Sequence, residues 1–145
     1  MTRFVLDVST AAKWVLPGDR EPLREEANEL LARYQKGEIA FLVPDLFWSE
    51  LGNVLWKAVR TRRVSEKSAA GSFADLRSLK LSTASTREVS DDAFSIACST
   101  GSSFYDSVYV ALAVTAGVPM VTADERLVNA LGARWPVRWL GAFSL

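Results

Sequence analysis

The sequence of 145 residues contains no histidine and a single cysteine, Cys98. The lack of histidine excludes the commonest general base, the Ser-His-Asp and Cys-His arrangements, and the usual zinc and non-haem iron sites. One cysteine excludes an internal disulfide and a cysteine-rich zinc site, and it suits a reducing compartment. We interpret Cys98 as a small buried apolar residue. Any enzymatic chemistry must therefore depend on carboxylates, hydroxyls, lysine, arginine or a hard cation.

Long apolar runs are also lacking. No stretch approaches the ~20 apolar residues that a membrane span requires, and residues 1–8 do not form a secretory signal. We therefore expect a cytoplasmic protein with no membrane association. A hydrophobic content of 49% and a charged content of 23% are typical of a soluble globular protein. The length is most simply that of one domain covering residues 1–145.

Short apolar segments alternate with longer segments of helical periodicity. The strand-like segments are almost wholly apolar or β-prone, as in strands covered on both faces; they are residues 3–7, 39–43, 81–86, 119–123 and 137–140. The helical segments lie near residues 10–16, 21–36, 45–62, 66–79, 91–100, 105–116 and 124–131. This alternation predicts an α/β domain with a central parallel sheet.

Residues that begin or end helices support these boundaries. Four glycines follow the last periodic residue of a helix, where a left-handed cap is needed; they are Gly37, Gly101, Gly117 and Gly132. Pro44 suits the first turn of the third helix, and Ser90 suits the N-cap of the fifth. The sequence shows no internal repeat or linker.

Four carboxylates occupy positions where a folding sequence favours apolar or neutral residues. Asp7 and Asp124 each follow a predicted strand, and the carboxyl ends of parallel strands border the functional crevice of such sheets. Glu50 shares a helix face with Leu46, Phe47 and Val54, and Asp106 begins an apolar helix. Each acid taken alone could instead be solvated or paired with arginine. Pairing with cations does not account for all four acids together, because no equal set of lysines or arginines lies on the same faces.

Converging carboxylates require either raised pKa values or bound cations. An all-oxygen ligand set without histidine or cysteine selects hard ions, which in a cell means Mg²⁺ or Mn²⁺. Such ions engage phosphate oxygens and activate water without a histidine base. The sequence therefore predicts metal-assisted hydrolysis of a phosphodiester.

Two further groups of residues have both a functional and a structural interpretation. Lys57, Arg60, Arg62 and Arg63 form the densest basic patch and could contact backbone phosphates of a nucleic acid, although cations also favour a helix C-terminus. Trp48, Gly52 and Trp56 follow one stripe of the same helix. They form either part of the core or a groove for another helix or chain.

Each of the four acids lies in a short segment of its own: Phe4-Val5-Leu6-Asp7-Val8-Ser9, Pro44-Asp45-Leu46-Phe47-Trp48-Ser49-Glu50, Tyr105-Asp106-Ser107-Val108-Tyr109-Val110-Ala111-Leu112-Ala113 and Val121-Thr122-Ala123-Asp124-Glu125-Arg126-Leu127. Together these segments resemble the acidic motifs of PIN-domain nucleases, and the length and layout resemble the VapC toxins of toxin–antitoxin pairs. The resemblance spans essentially the whole chain, in order. Ser107 stands where the family more often has alanine.

The resemblance implies a three-layer α/β/α sandwich with a mainly parallel sheet of about five strands. It implies a Mg²⁺-dependent endoribonuclease, with Mn²⁺ as a substitute, that acts on RNA, forms a homodimer and is restrained by a cognate antitoxin. Asp7, Glu50, Asp106 and Asp124 become the catalytic metal-binding acids. Ser9 and Thr122 match hydroxyl positions that would support these acids, and capping or strand-end roles remain an alternative. The helix with Trp48, Gly52 and Trp56 resembles the one that lies near the antitoxin.

Other functions stay open at this point. A PIN nuclease can process RNA without an antitoxin, and a small upstream gene for a DNA-binding antitoxin would favour the toxin. A non-nuclease Mg²⁺-binding α/β domain is a second alternative. The segment Asp7-Val8-Ser9 does not fit it, because receiver domains need paired acids and haloacid-dehalogenase-like enzymes need two Asp separated by one residue. A plain interaction module would tolerate substitution of the acids.

Overall fold

A computed structural model describes residues 1–18 and 21–143. These residues form one sheet of five parallel strands in the order β3-β2-β1-β4-β5. The strands are β1 (Thr2–Leu6), β2 (Ile39–Pro44), β3 (Ser82–Ala84), β4 (Met120–Thr122) and β5 (Val137–Trp139). The seven α-helices of the described residues are α1 (Val8–Val15), α2 (Arg24–Gln35), α3 (Leu46–Arg60), α4 (Glu66–Ser78), α5 (Ser90–Thr100), α6 (Phe104–Ala116) and α7 (Glu125–Leu131). The predicted α/β fold with a parallel sheet is confirmed.

The strand order reverses beside β1, and this reversal gives the fold its three layers. From β1 the chain moves to β2 and β3 on one side, then returns across the sheet to β4 and β5. Because such crossovers are right-handed, α1 to α4 cover one face and α5 to α7 cover the other. The neighbouring strands β1 and β4 belong to opposite halves of this path. Their carboxyl ends form the topological switch point where ligands bind in open α/β sheets.

The central strands are buried on both faces because their side chains are almost all apolar. Val5, Leu6, Val43 and Val121 are each fully buried, and helices from both layers pack against them. The outer strands differ: Ser82 and Thr83 of β3 are exposed, and so is Arg138 of β5. The centre of the sheet is therefore enclosed on both faces, while the outer strands are open to solvent in part.

Two predictions about where helices begin were wrong. Pro44 is the last residue of β2 and pairs with Ala84, so α3 begins after it. Ser90 is the first residue of α5 rather than its N-cap, because a 3₁₀ turn at Arg87–Val89 directly precedes the helix. The Ser90 hydroxyl donates a hydrogen bond to the backbone oxygen of Arg87 in that turn.

Gly132 also differs from its prediction. It has a φ of −61°, whereas the other three predicted caps have positive φ. A β-carbon at Gly132 would lie 2.7 Å from the backbone oxygen of Val128. Glycine is therefore required at this position because the Val128 backbone approaches closely, and not because the residue has a left-handed conformation.

Cys98 is exposed, so the prediction of a buried cysteine was also wrong. Helix α5 buries Ala93 and Ile96, whereas Phe94 and Cys98 lie on its outer side. The local run of apolar residues concealed this division, because a short run does not reveal which helix face meets the sheet. No helix within residues 1–18 and 21–143 is both long enough and apolar enough to cross a bilayer.

Candidate functional site

The carboxyl ends of β1 and β4 bring two sequence-distant segments into direct contact. Asp7 follows β1 immediately, and its backbone N–H donates to the oxygen of Val121 in β4 at 3.1 Å. The Thr122 hydroxyl at the end of β4 donates to Asp7 Oδ2 at 2.7 Å. Asp124 follows two residues later and is the N-cap of α7. Parallel pairing of the two strands thus places Asp7 and Asp124 at one edge of the sheet.

Asp7 is the most deeply enclosed of the four acids. The residue is only 5% exposed, and its Oδ2 accepts hydrogen bonds from Ser9 Oγ at 2.5 Å and from Thr122 Oγ1 at 2.7 Å. Burial raises the pKa of Asp7 from 3.8 to about 6, and the charge of Asp106 adds to this, although the two hydroxyls oppose it. A buried carboxyl without a cation is costly to ionise.

Glu50 reaches the same region from the second turn of α3. Its Oε1 accepts a hydrogen bond of 2.6 Å from the hydroxyl of Tyr109, which lies one turn after Asp106 in α6. Burial raises the pKa of Glu50, and the charges of Asp7 and Asp106 raise it further, against the effect of the Tyr109 hydrogen bond. Burial, the charge of Asp7, and the hydrogen bond and charge of Glu50 raise the pKa of Tyr109 far above its ordinary value, so its hydroxyl remains a donor.

Asp106 and Asp124 complete the group from the first turns of two helices. Asp106 lies in the first turn of α6, where the Ser103 hydroxyl accepts its backbone N–H at 3.1 Å. Burial raises the pKa of Asp106, and the charge of Asp124 raises it further. Asp124 Oδ1 caps α7 by accepting from the N–H groups of Arg126 and Leu127. This capping fixes one oxygen of Asp124 and leaves the carboxylate further acceptor capacity.

The mutual effects of these charges link all four predicted acids. Asp106 acts on Asp7, Asp7 and Asp106 act on Glu50, and Asp124 acts on Asp106. Among the described residues, no lysine or arginine lowers the pKa of Asp7, Glu50 or Asp106. Each of Asp7, Glu50 and Asp106 is therefore repelled by another of the predicted acids, Asp124 acts on Asp106, and no cation of the described residues opposes these effects.

The donor set fits a hard divalent cation. All side-chain donors are oxygens, and Mg²⁺ is commonly held by one or two carboxylates with water completing the shell. Within residues 1–18 and 21–143, no three acidic or cysteine side chains lie close enough together to enclose an ion directly.

The two predicted hydroxyls both contact Asp7. Ser9 and Thr122 both donate to Asp7 Oδ2, and their oxygens lie 3.2 Å apart. The backbone N–H of Ala123 donates to Ser9 Oγ at 3.0 Å, and that of Asp124 donates to Thr122 Oγ1 at 3.0 Å. Each hydroxyl thus accepts from the backbone while it donates to the carboxylate, so the orientation of Asp7 is fixed from two sides.

The predicted basic patch lies at the opposite end of α3 from Glu50. Lys57, Arg60, Arg62 and Arg63 are all exposed. Arg63 donates to Glu21 Oε2 and to the oxygen of Pro17, both at 3.3 Å, and the Arg60 guanidinium lies over the ring of Trp56. At 1.5 Å per residue, Lys57 lies roughly 10 Å along the helix axis from Glu50. RNA binding by these residues remains a prediction.

The predicted groove along Trp48, Gly52 and Trp56 is partly filled by the protein itself. A β-carbon at Gly52 would lie 3.3 Å from the ring of Phe73 in α4, so α4 packs against this stripe. Trp48 is half-buried and its indole N–H donates to Thr83 Oγ1 at 3.3 Å, whereas Trp56 is 55% exposed. Partner binding at this stripe remains a prediction, and the part that stays accessible is Trp56.

Tyr109 is the residue of the site that the sequence did not reveal. Its position on the apolar face of α6 indicated only a core residue, and it is indeed 1% exposed. The signal lay in its hydroxyl, because a buried tyrosine needs a hydrogen-bond partner. The neighbouring Ser107 has a buried hydroxyl without a partner among the described residues.

A family model of the PIN domain matches residues 4–131, which include all four acids. The chain belongs to the PIN-domain family. Ribonuclease VapC3 of Pyrobaculum aerophilum is 33% identical over 131 residues, which cover 88% of this chain and 93% of that protein. The resemblance to VapC-type PIN nucleases is thus confirmed at the level of the family.

Solved structures share the fold of this PIN domain. A crystal structure of a protein from Pyrobaculum aerophilum has a TM-score of 0.68 and 23% identity, and the match covers 97% of this chain and 92% of that one. The toxin–antitoxin complex from Klebsiella pneumoniae has a TM-score of 0.62 and 11% identity, with 98% and 99% covered. These similarities establish the fold along nearly the whole chain.

Proposed function

We propose that this PIN domain is a divalent-metal-dependent endoribonuclease that acts as the toxin of a toxin–antitoxin pair. The observation that carries the proposal is that burial and mutual repulsion raise the pKa values of Asp7, Glu50 and Asp106 beside Asp124, near the switch point of the sheet. Family membership supports the nuclease activity, and the 33% identical relative, a ribonuclease, supports RNA as the substrate.

Asp7 and Asp106 are the proposed direct ligands of Mg²⁺, for which Mn²⁺ can substitute. Glu50 and Asp124 complete the site directly or through water. When bound, the ion supplies an activated water and stabilises negative charge on the phosphate oxygens. The protein supplies orientation: Ser9 and Thr122 hold Asp7, and Tyr109 holds Glu50. Partners of this kind commonly tune ligating carboxylates.

Metal dependence tests the nuclease part of the proposal. The purified protein should cleave RNA with Mg²⁺ or Mn²⁺ and should stop when EDTA is added, since the four acids offer no other source of an activated water. Sequencing of the RNA ends produced after induced expression would identify the target. Undiminished cleavage by clean protein in EDTA would contradict the mechanism.

The toxin role and the assembly are separate parts of the proposal. The similarly folded Klebsiella pneumoniae structure is a toxin–antitoxin complex, which supports an antitoxin partner, and the resemblance to VapC toxins implies a homodimer. We expect an antitoxin segment near Glu50 and the exposed Trp56, with a cationic side chain that competes with Mn²⁺ for the acids.

Light scattering tests the dimer. Titration of Mn²⁺ into the free toxin and into its complex tests the competition. A monomer at tens of micromolar and equal Mn²⁺ affinities would contradict these two parts.

A further inference from the structure

An open pocket of about 410 Å³ adjoins the acids. The residues that line it include Val8, Glu50 and Tyr105, from the first two turns of α1, α3 and α6 respectively. Val8 directly follows Asp7, and Tyr105 directly precedes Asp106. The pocket and three of the four acids are therefore positioned by the same three helices.

The chemistry of the lining favours a flat, uncharged group. Tyr105 is 60% exposed, and Val8 and Leu46 add apolar surface. Asn53 follows Glu50 by three residues on α3, so its amide adds both donor and acceptor groups beside the carboxylate. The carboxylate of Glu50 would repel a negatively charged phosphate in this pocket, whereas it would not repel a neutral nucleobase.

We propose that this pocket holds an unpaired nucleobase next to the phosphodiester that is cleaved. The inference rests on the proposed ribonuclease function and names a specificity subsite for it. Tyr105 stacks on the face of the base, as aromatic side chains do when proteins bind single-stranded RNA. Asn53 contacts the edge of the base and distinguishes one base from another, because amides and bases present matching donors and acceptors.

Lys57 extends this subsite toward the RNA backbone. It lies one helical turn beyond Asn53 and is exposed. Arg63, by contrast, is engaged with Glu21 and Pro17, and Arg60 lies over Trp56. Among the residues of the predicted basic patch, Lys57 is the nearest to Asn53 along the chain, so we place it at the phosphate that follows the bound base.

Binding and cleavage of single-stranded RNA test the subsite separately. Fluorescent hexamers of A, C, G or U are titrated in EDTA, and kcat/KM for a cleaved RNA is measured with Mg²⁺. We expect Tyr105→Ala to weaken binding and to lower kcat/KM by roughly tenfold, and Tyr105→Phe to retain both, because the ring supplies the stacking. Phe94→Ala is the matched control, since Phe94 is 63% exposed and does not line the pocket. Asn53→Ala should change the order of affinity among the four hexamers.

The outcomes separate this inference from the proposed function. Wild-type cleavage with Mg²⁺ together with unchanged RNA binding by Tyr105→Ala would overturn the subsite and leave the nuclease proposal intact. Loss of antitoxin binding by Tyr105→Ala, with RNA binding unchanged, would assign the pocket to a protein segment and would also overturn it. Absence of any RNA cleavage by the wild-type protein would overturn the proposed function itself.

Discussion

Two regions of this PIN domain shift the pKa values of their carboxyl groups in opposite directions. Glu21 lies between Lys13 at 2.8 Å and Arg63 at 3.3 Å. Burial opposes its ionisation, but hydrogen bonds and charges from these two cations outweigh burial and lower the pKa of Glu21. At the sheet edge, burial and neighbouring carboxylates raise the pKa values of Asp7, Glu50 and Asp106.

This difference is the physical reason for proposing that Glu21 is a structural carboxylate and that the acids at the sheet edge are functional ones. An acid with cations of its own chain stabilises the fold and has little further affinity for a metal ion. Acids that repel one another destabilise the ionised protein until a cation from solution joins them. Perturbed groups of this kind cluster at functional sites. Substitution of an acid at the sheet edge should therefore lower activity and, without metal, raise stability. Substitution of Glu21 should leave activity unchanged and lower stability.

The largest effect is expected from Asp106→Asn. Loss of a proposed direct ligand should lower RNA cleavage by about a thousand-fold or more, since metal stabilisation of the transition state is worth several kcal/mol. Circular dichroism should show that the variant remains folded. Glu21→Gln, assayed well below its melting temperature, should cleave RNA like the wild type. Equal losses of cleavage in the two variants would remove the distinction between the regions.

Next in size is the pH dependence of stability caused by Asp7. With EDTA present, both states are protonated at Asp7 below pH 3.8, and between 3.8 and about 6 only the folded state keeps the proton. Because the folded state binds this proton more tightly, Asp7 stabilises the folded protein fully below pH 3.8. This stabilisation is lost as the pH rises through about 6. The difference between these pKa values corresponds to about 3 kcal/mol in the free energy of unfolding.

Asp7→Asn should remove this dependence. Urea unfolding of the wild type and the variant from pH 4 to pH 8 measures it, and the variant should be the more stable protein above pH 7. A variant that is less stable at every pH would indicate that Asp7 is a structural acid.

Tyr109→Phe should have an intermediate effect. Removal of the hydroxyl leaves Glu50 without its 2.6 Å donor. Loss of such a partner typically costs 10- to 100-fold in metal affinity or activity, and we expect about tenfold in Mn²⁺ affinity measured by calorimetry. Tyr34→Phe is a matched control, because the Tyr34 hydroxyl donates to the oxygen of Leu79 outside the site. If both variants lowered Mn²⁺ affinity equally, Tyr109 would be acting through general stability.

The smallest effect is expected from Glu21→Gln on stability. Loss of the ion pairs with Lys13 and Arg63 should lower the free energy of unfolding by about 1 kcal/mol, and salt should reduce the difference. Thermal melting at low and high ionic strength measures both quantities. Glu38→Gln, which breaks the more exposed pair with Arg33, should change stability less. An increase in stability for Glu21→Gln would make this region resemble the sheet edge.

The sequence alone predicted the class of fold and the four acids. Apolar runs such as Phe4-Val5-Leu6 and Met120-Val121-Thr122 specify buried parallel strands, because only strands covered on both faces need such composition. The positions of Asp7 and Asp124 after those runs then placed both acids at one edge. The absence of histidine limited the chemistry to oxygen ligands. These conclusions depend on local pattern and residue type, which a sequence displays directly.

Only the tertiary structure decided which groups the acids meet. The hydrogen bond from Thr122 to Asp7 joins residues 115 positions apart, and that from Tyr109 to Glu50 joins residues 59 positions apart. The packing of Phe73 against Gly52 and the exposure of Cys98 likewise depend on how α4 and α5 lie against their neighbours. Periodicity shows that a helix has an apolar face, but the facing element determines what that face contacts. The acids were therefore visible in the sequence, and their partners required the fold.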